Sequence, residues 1–372
     1  MAVRTALTEM LQLSSPIIQA PMAGGGDTVE LVAAVSNAGG LGSIGAAYLT
    51  PAQITERAAA VRARTRGPFA INLFAPTPAP AAGAEQVESA AQHIAAYYRE
   101  LGLREPQLSG LAAIGFDEQL EACLATDAVL FSFTFGCLAP SAIERARRRG
   151  KLVAGTATTA REAEALVAAG VDAIIAQGSE AGGHRGTFNG DFESGMIGTM
   201  ALTPQIVNQV RIPVIASGGI MDGRGIAAAL VLGAAGVQMG TAFLTCPEAG
   251  VSEAYKNAIF AATEDQTRIT LAFSGRPARG IVNRMLSDYA KSPEKILPFP
   301  LQNALTRPLR TQASKAGRPE FLSLWSGQAL RMARRLPAAE LVAQLESELD
   351  SAIDALAGMR SEVNQQGTAA TD

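Results

Sequence analysis

Eight short apolar runs, each followed by a stretch with helical periodicity, recur through the first 245 residues of the chain. They predict strands at 16–22, 40–45, 69–74, 129–135, 152–156, 172–177, 213–218 and 237–240. Strands that are apolar on both faces are typical of a buried parallel sheet, and eight strand–helix units match a (β/α)8 barrel. A doubly wound sheet usually has fewer strands and a GxGxxG after the first, a spacing that Gly24-Gly25-Gly26 lacks. The sequence therefore predicts an α/β fold, a (β/α)8 TIM barrel.

The strand–helix alternation stops after residue 245. Residues 246–300 contain one helical pattern, an extended segment at 269–280 and the proline-rich run KSPEKILPFP. Two further helical patterns follow, at 301–314 and 337–356. We therefore expect a cofactor-binding barrel at 1–245 with an added, mostly helical C-terminal part. In that part, residues 246–300 form a lobe that covers the substrate, and the helices of 301–372 pack back on the barrel.

Composition excludes several classes of protein. Of the 372 residues, 48% are hydrophobic and 17% are charged, which is ordinary for a globular chain with a large core. The formal net charge of −3 gives no reason to expect a nucleic-acid partner. Three widely spaced cysteines, Cys123, Cys137 and Cys246, suit neither a disulfide framework nor zinc-ligand pairs. This cysteine usage predicts a reducing, cytoplasmic location.

Two stretches of the sequence have some features of an export signal or a membrane span. Near the amino terminus, Thr5, Thr8 and Glu9 interrupt what would have to be an apolar signal core, so we expect no export. Residues 225–247 carry no formal charge and are long enough to span a bilayer. Gly233, Gln238 and other polar or glycine residues interrupt them, and the stretch divides into a helix and a strand. We therefore expect no membrane span.

The stretch 172–188, DAIIAQGSEAGGHRGTF, combines a buried strand with a glycine-rich loop. Four glycines in the nine residues after Gln177 allow the backbone to approach a ligand closely. His184 is one of two histidines in the chain, and it lies where α/β folds carry out chemistry, beyond the carboxyl end of a strand. The alternative is a tight connection with a surface histidine, but the glycines and Gln177 favour a functional residue. Arg185 can assist an anionic substrate, or it can lie at the surface or face a phosphate.

A second signal follows the last two predicted strands. Gly219 comes after the seventh strand, and Gln238, Met239, Gly240 and Thr241 lie at the end of the eighth. In such barrels these two loops commonly bind phosphate through backbone N–H groups. Either loop alone fits an ordinary strand-to-helix turn. At consecutive strand ends, together, they predict a phosphorylated ligand.

Side chains at other strand ends suggest which ligand this is. Met22, Asn72 and Gln177 are predicted to end strands one, three and six and to point into one mouth. A flavin ring needs a flat apolar surface and side-chain amides for its polar edge. These residues beside the phosphate loops favour FMN as the cofactor. No second dinucleotide-binding pattern indicates NAD or FAD.

The chain resembles class I nitronate monooxygenases, the FMN enzymes once called 2-nitropropane dioxygenases. Across most of its length it has the segments PIIQAPMAGG, NAGGLGSIG, FAINLF, QGSEAGGHRG, ASGGIMDG, QMGTAFL, AFSGRPARG and LWSGQ. The resemblance implies that His184 is catalytic. It also implies that FMN is held by Asn72, Gln177, Gly182, Gly219 and residues 238–241. One departure is Phe299-Pro300, where family members often have Tyr-Pro, which puts a phenol contact to the substrate in doubt.

The residues alone predict a base near a flavin, able to take a proton from a carbon acid or to anchor an anion. The resemblance implies the reaction, in which an alkyl nitronate reduces FMN by one electron, O2 reacts, and a carbonyl compound and nitrite form. Detoxification of nitroalkanes is the expected role. An FMN-dependent NAD(P)H:quinone or enoyl-thioester reductase on the same barrel is the main alternative, and a non-catalytic flavin- or phosphosugar-binding barrel is a more distant one. The physiological nitronate and the oligomeric state stay open.

Overall fold

The computed structural model describes residues 3–77, 82–104, 106 and 115–368, with side chains as far as residue 359. Eight parallel strands form one sheet in the order β1-β9-β8-β6-β5-β4-β3-β2, and three antiparallel strands form a second sheet in the order β10-β11-β7. The strands are β1 (Ile17–Gln19), β2 (Gly42–Gly45), β3 (Phe69–Phe74), β4 (Leu130–Thr134), β5 (Leu152–Ala157), β6 (Ala173–Gln177), β7 (Gly183–His184), β8 (Val214–Ser217), β9 (Gly236–Met239), β10 (Thr267–Thr270) and β11 (Ala278–Ile281).

The large sheet closes on itself between β1 and β2. The backbone N–H of Gln19 donates to the carbonyl of Leu41, and the N–H of Leu41 donates to the carbonyl of Ile17, both at 3.0 Å. All eight predicted barrel strands are present within a few residues of their expected positions. The predicted (β/α)8 TIM barrel is confirmed.

Helices surround the barrel and build the additional part. They are α1 (Ala6–Leu11), α2 (Val29–Asn37), α3 (Pro51–Arg62), α4 (Ala84–Glu100), α5 (Phe116–Leu124), α6 (Pro140–Arg148), α7 (Ala160–Ala169), α8 (Thr199–Gln209), α9 (Gly223–Val231), α10 (Thr241–Leu244), α11 (Glu253–Ala261), α12 (Arg284–Tyr289), α13 (Leu301–Lys315) and α14 (Ala338–Thr368). The uncharged stretch 225–247 lies in α9, β9 and α10. Among the described residues, no helix is both long and apolar enough to cross a membrane.

Local sequence determines where most helices begin. Thr50 caps α3 by accepting a hydrogen bond from the N–H of Gln53 at 3.3 Å, and Pro51 occupies the first helical position. Thr28 caps α2. The neighbouring Asp27 accepts hydrogen bonds from the N–H groups of Met22 (2.8 Å) and Gly45 (2.5 Å). It therefore fixes the glycine loop that precedes α2 against the end of β2.

The start of α8 differs from what the local sequence indicates. A Thr-Pro pair such as Thr203-Pro204 is typical of a helix start, but α8 begins at Thr199 and contains Pro204 in its interior. The carboxylate of Glu180 caps this helix by accepting hydrogen bonds from the N–H of Thr199 at 2.9 and 3.0 Å. A cap supplied from a loop nineteen residues earlier leaves no signal in the local sequence.

The helical pattern at 88–101 lies in α4, but this helix does not pack on the barrel. Its Ile94 and Tyr98 pack with α13 in a second apolar cluster, and the hydroxyl of Tyr98 donates to the carbonyl of Leu305 at 2.6 Å. The barrel is covered at this position by α5, which the sequence analysis missed and which buries Leu120. Part of the proline- and alanine-rich connector before α4 lies outside the described residues.

The bottom of the barrel is closed by α1. Leu7 and Leu11 pack inside the strands against residues such as Ile18 and Ile215, and Leu7 is fully buried. A side chain on Gly236 would place its Cβ 2.5 Å from a methyl group of Leu7, so only glycine fits there. Burying each leucine contributes about 1.5–3 kcal/mol. The opening of the barrel is therefore at the carboxyl ends of the strands.

The segment predicted as extended, 269–280, supplies parts of β10 and β11, which are joined by a turn. The sequence analysis missed their partner β7, which pairs His184 with Ala278 and Gly183 with Arg279. The second sheet thus joins the glycine-rich loop after β6 to the part of the chain that follows residue 245. At the opposite side, α14 packs against α9 through residues that include Leu345.

Candidate active site

A cavity of about 550 Å³ lies at the carboxyl ends of the barrel strands and is enclosed by residues of the C-terminal part of the chain. The structure brings all ten residues that the sequence predicts as catalytic or cofactor-binding to the wall of this one cavity. They are Met22, Asn72, Gln177, Gly182, His184, Gly219, Gln238, Met239, Gly240 and Thr241. Their individual roles remain predictions.

The loops after β8 and β9 present unpaired backbone donors. Gly219 has a φ of +70°, in the left-handed region that favours glycine, and Gly218 before it has a φ of +123°. Within the described part of the chain, the N–H groups of Gly219, Gly240 and Thr241 donate to no acceptor. Convergent free N–H groups favour an anion. These loops can therefore hold a phosphate.

The LWSGQ segment closes one side of the cavity. Gly327 donates its N–H to the hydroxyl of Thr241 at 3.0 Å, and the N–H of Gln328 donates to the carbonyl of Glu180 at 3.0 Å. A Cβ on Gly182 would lie 2.6 Å from the nitrogen of Gly327. Gly182 thus allows two backbones to approach closely where residues 324–328 cross the barrel loops.

Of the three residues that were predicted to end strands, one does so and two do not. The last residue of β1 is Gln19, three residues before Met22, and Asn72 lies inside β3, where its amide donates to the hydroxyl of Ser132 at 3.0 Å. Gln177 does end β6. Its amide donates to the carbonyl of His184 at 2.9 Å and accepts from the N–H of Gly186 at 2.8 Å. Gln177 therefore fixes the loop that contains the histidine.

His184 lies on β7 and not in a free loop. Its Nε2 is 2.8 Å from the hydroxyl of Ser274, which can donate to the carbonyl of Arg276 at 3.2 Å. When the hydroxyl proton of Ser274 is used in that bond, Nε2 donates to Ser274 and the lone pair of a neutral imidazole is on Nδ1; when the hydroxyl turns towards the ring, Nε2 accepts from it. The ring centroids of Phe135 and Trp325 lie 5.6 and 5.5 Å from that of the imidazole.

His184 is uncharged near neutral pH. Burial, followed by the positive charges of Arg276 and Arg310, lowers the pKa of His184 from 6.5 to about 3. The imidazole is therefore a hydrogen-bonding group and a proton acceptor in the resting protein, and it is not a cation.

This environment predicts an acid-dependent loss of stability. The pKa of His184 is lower in the folded than in the unfolded protein. The stability that the neutral imidazole contributes is therefore fully present above about pH 6.5 and is lost as the pH falls towards 3. At pH 5 the loss amounts to about 2 kcal/mol. We expect His184→Asn to reduce the difference in free energy of unfolding between pH 7.5 and pH 5 by about that amount, as measured by urea denaturation. Equal pH dependence in both proteins would contradict a buried neutral histidine.

Arg185 plays none of the three roles left open by the sequence. Its side chain is 1% exposed and donates to the carbonyls of Gly178 (2.6 Å), Gln177 (3.1 Å) and Gly195 (3.0 Å). It is neither at the surface nor in the cavity wall. Arg185 stabilises the two ends of the loop that carries His184.

Several residues of the cavity wall were missed by the sequence analysis. They are Tyr48, Ser274, Asn303, Arg307, Arg310 and Trp325. Three of them follow a spacing of i, i+4 and i+7 on α13, which places them on one face of the helix. This polar stripe was the available signal. None of the described residues in the wall is an aspartate or glutamate, so the cavity has an excess of positive charge.

The departure from the expected Tyr-Pro pair leaves an apolar ring near the site. Phe299 lies 6.3 Å from the rings of both Phe74 and Phe135. Two phenols line the cavity. The hydroxyl of Tyr255 donates to the carbonyl of Trp325 at 2.7 Å, whereas that of Tyr48 has no hydrogen-bond partner in the described part of the chain. A phenol contact to a ligand is therefore available from Tyr48.

Known proteins with the same architecture were then compared with this chain. The crystal structure of nitroalkane oxidase from Streptomyces ansochromogenes superposes with a TM-score of 0.88 at 42% identity, covering 95% of this chain and 100% of that one. FabK from Thermotoga maritima gives a TM-score of 0.76 at 29% identity, with coverage of 96% and 99%. Both likenesses extend over the barrel and the C-terminal part together.

Sequence comparison agrees with these structures. A probable nitronate monooxygenase of Staphylococcus saprophyticus is 42% identical over 344 residues, which are 92% of this chain and 96% of that protein. The family model described as nitronate monooxygenase matches residues 4–348. The chain is an oxidoreductase, and it belongs to the nitronate monooxygenase family.

Proposed function

We propose that this protein is an FMN-dependent monooxygenase that oxidises alkyl nitronates with O2 to carbonyl compounds and nitrite. The observation that carries the proposal is which groups line one cavity. They are unpaired backbone N–H groups, a neutral His184, and arginines that have no acidic partner in the described cavity wall. Such a site suits a phosphorylated cofactor together with a small anionic substrate.

The residues present fit FMN. The free N–H groups of Gly219, Gly240 and Thr241 would hold the phosphate. Gln238, Met239 and Gly182 would line its approach, with Met22 as an apolar surface against the ring. Asn72 and Gln177 each keep an amide group that is not fully used and would contact the polar edge of the ring. A bound flavin would accept electrons from the nitronate and react with O2.

Residues of the chain itself attract an anionic substrate and cover it. The uncompensated arginine charges attract a nitronate anion, because no carboxylate in the described cavity wall opposes them. The neutral imidazole of His184 can accept a proton, and the rings of Phe135 and Trp325 pack beside it and limit its contact with water. We also propose that residues 246–300 cover the substrate, since Ser252, Tyr255 and Ser274 of that part line the cavity.

The first test is the identity of the cofactor. We expect the purified protein to be yellow and to release FMN, not FAD, on denaturation, because the cavity offers one phosphate cradle. Chromatography of the released flavin against both standards measures this. A colourless protein that takes up no FMN on reconstitution would contradict the proposal.

The second test compares two reactions of the same preparation. Oxygen consumption with a preformed alkyl nitronate is measured beside NADH or NADPH oxidation with a quinone and with an enoyl thioester. We expect nitronate-dependent oxygen uptake with nitrite release, and slow or absent oxidation of the nicotinamides. The opposite pattern would make the protein a reductase on the same barrel.

A further inference from the structure

A single arginine of α13 is held rigidly against the cavity while part of its guanidinium stays unpaired. Nη2 of Arg310 donates to the side-chain oxygen of Asn303 at 2.6 Å and to its carbonyl at 3.2 Å, and Nη1 donates to the hydroxyl of Ser323 at 3.3 Å. Asn303 and Ser323 also line the cavity. These contacts fix the plane of the guanidinium.

Two N–H groups of this guanidinium have no acceptor among the described residues, Nε–H and the second N–H of Nη1. Nε is enclosed by protein, so Nη1 is the one of the two that can reach a ligand in the cavity. Both partners of the side chain are uncharged, so no carboxylate neutralises it. Burial lowers the pKa of Arg310 to about 10, yet the group stays charged at neutral pH. A half-buried cation with a free donor and no counter-charge is costly for a folded protein. An anionic ligand in the cavity would offset that cost.

We propose that Arg310 binds the anionic group of the substrate through its uncompensated charge and the free N–H of Nη1. A hydrogen bond from a guanidinium to an oxyanion is among the stronger polar contacts in proteins. That the oxyanion is a nitronate rests on the function proposed above. The binding of an oxyanion at Arg310 does not.

Other positive groups near the site are less suited to this contact. Arg307 is exposed, and its guanidinium lies over the ring of Tyr48 at 5.3 Å. Arg276 lies over the ring of Phe135 at 3.9 Å and is not part of the cavity wall. His184 is neutral. Arg310 alone among these combines a place in the wall with fixed geometry and an unpaired donor.

The test uses nitrate, a planar oxyanion that shares the two oxygens on nitrogen of a nitronate. Nitrate is titrated into the purified flavin-loaded protein, and binding is followed by calorimetry and by the flavin absorbance. We expect Arg310→Met to raise the dissociation constant about 10- to 100-fold, the usual contribution of charge-assisted hydrogen bonds. Arg310→Lys keeps the charge without the planar guanidinium that Asn303 and Ser323 hold in place, so its affinity should fall between those of Arg310→Met and the wild type.

Arg276→Met is the matched comparison. It removes another half-buried guanidinium that acts on His184 through space but does not reach the cavity wall. We expect its dissociation constant for nitrate to stay within about threefold of the wild type, since only a longer-range attraction is lost. An equal loss in both variants would reduce Arg310 to a general contribution of charge and overturn the direct contact.

A purely structural Arg310 would behave differently. Arg310→Met would then lower the thermal midpoint or the flavin content while the folded, flavin-loaded fraction bound nitrate as the wild type does. That result overturns the proposal. Added guanidinium ion should restore nitrate binding to Arg310→Ala if the site is direct. A wild-type protein that binds nitrate through Arg310 but does not oxidise nitronates would refute the proposed function and leave this inference standing. If Arg310→Met turns over nitronate with an unchanged KM, the proposed function stands and this inference is refuted.

Discussion

A carboxylate introduced at Gly240 is expected to abolish retention of the flavin. The N–H of Gly240 is one of the unpaired donors of the proposed phosphate cradle. A carboxylate about 4 Å from a phosphate costs about 4 kcal/mol at an effective dielectric constant of about 20. This corresponds to roughly a thousandfold weaker binding. We therefore expect Gly240→Asp to be purified without flavin, as measured by the ratio of flavin to protein absorbance.

Gly240 permits clean controls because its geometry tolerates a side chain. Its φ is −105°, and an added Cβ would meet only the Cβ of Ala20, at 3.6 Å. Gly240→Ala and Gly240→Asn should therefore retain most of the flavin.

At Gly219 the effect of a charge on flavin binding could not be separated from strain, because φ is +70° and an added Cβ would lie 3.2 Å from the Cβ of Glu180. Gly219→Asp should also lose flavin, but so should Gly219→Ala in part. Full flavin occupancy in Gly240→Asp would place the phosphate elsewhere.

The barrel was predictable from the sequence because each of its signals is local. A buried parallel strand is apolar throughout, as in FAINLF, and a capped helix begins with residues such as Thr50-Pro51. The failures share a different cause. The cap of α8 comes from Glu180, and β7 exists because it pairs with β11, a strand almost a hundred residues later. Contacts of this kind depend on the completed fold, and no window of sequence contains them.

The same distinction applies to the site. Glycine and amide residues at strand ends were recognisable, since barrel topology brings strand ends together. The residues of α13 were not, because Asn303, Arg307 and Arg310 resemble an exposed polar helix face until the helix is placed over the mouth. The role of Arg185 was equally hidden. A charged residue between glycines reads as exposed, and only the fold shows three carbonyls converging on it.

The protonation state of His184 limits what the residue can do. A histidine with a pKa of about 3 is ready to accept a proton at neutral pH, but it does not supply a positive charge. Of the two roles left open by the sequence, base and anion anchor, the structure therefore favours the first. The charge that an anionic substrate needs is available from the arginines instead.

The largest kinetic effect is therefore expected for His184→Asn with a substrate that still carries its α-proton. Asparagine keeps the approximate size and a hydrogen bond to Ser274 but removes the basic ring nitrogen. We expect activity on a neutral nitroalkane to fall by roughly 10²–10⁴-fold, the usual contribution of general-base catalysis. A preformed nitronate has already lost that proton, so its kcat/KM should fall by less than about tenfold. Stopped-flow reduction of the bound flavin by each substrate, without oxygen, measures both values.

If the wild type does not act on neutral nitroalkanes, His184→Asn should instead raise the KM for nitronate, through a lost hydrogen bond. Unchanged kinetics with both substrates would make His184 a structural residue that only ties β7 to Ser274.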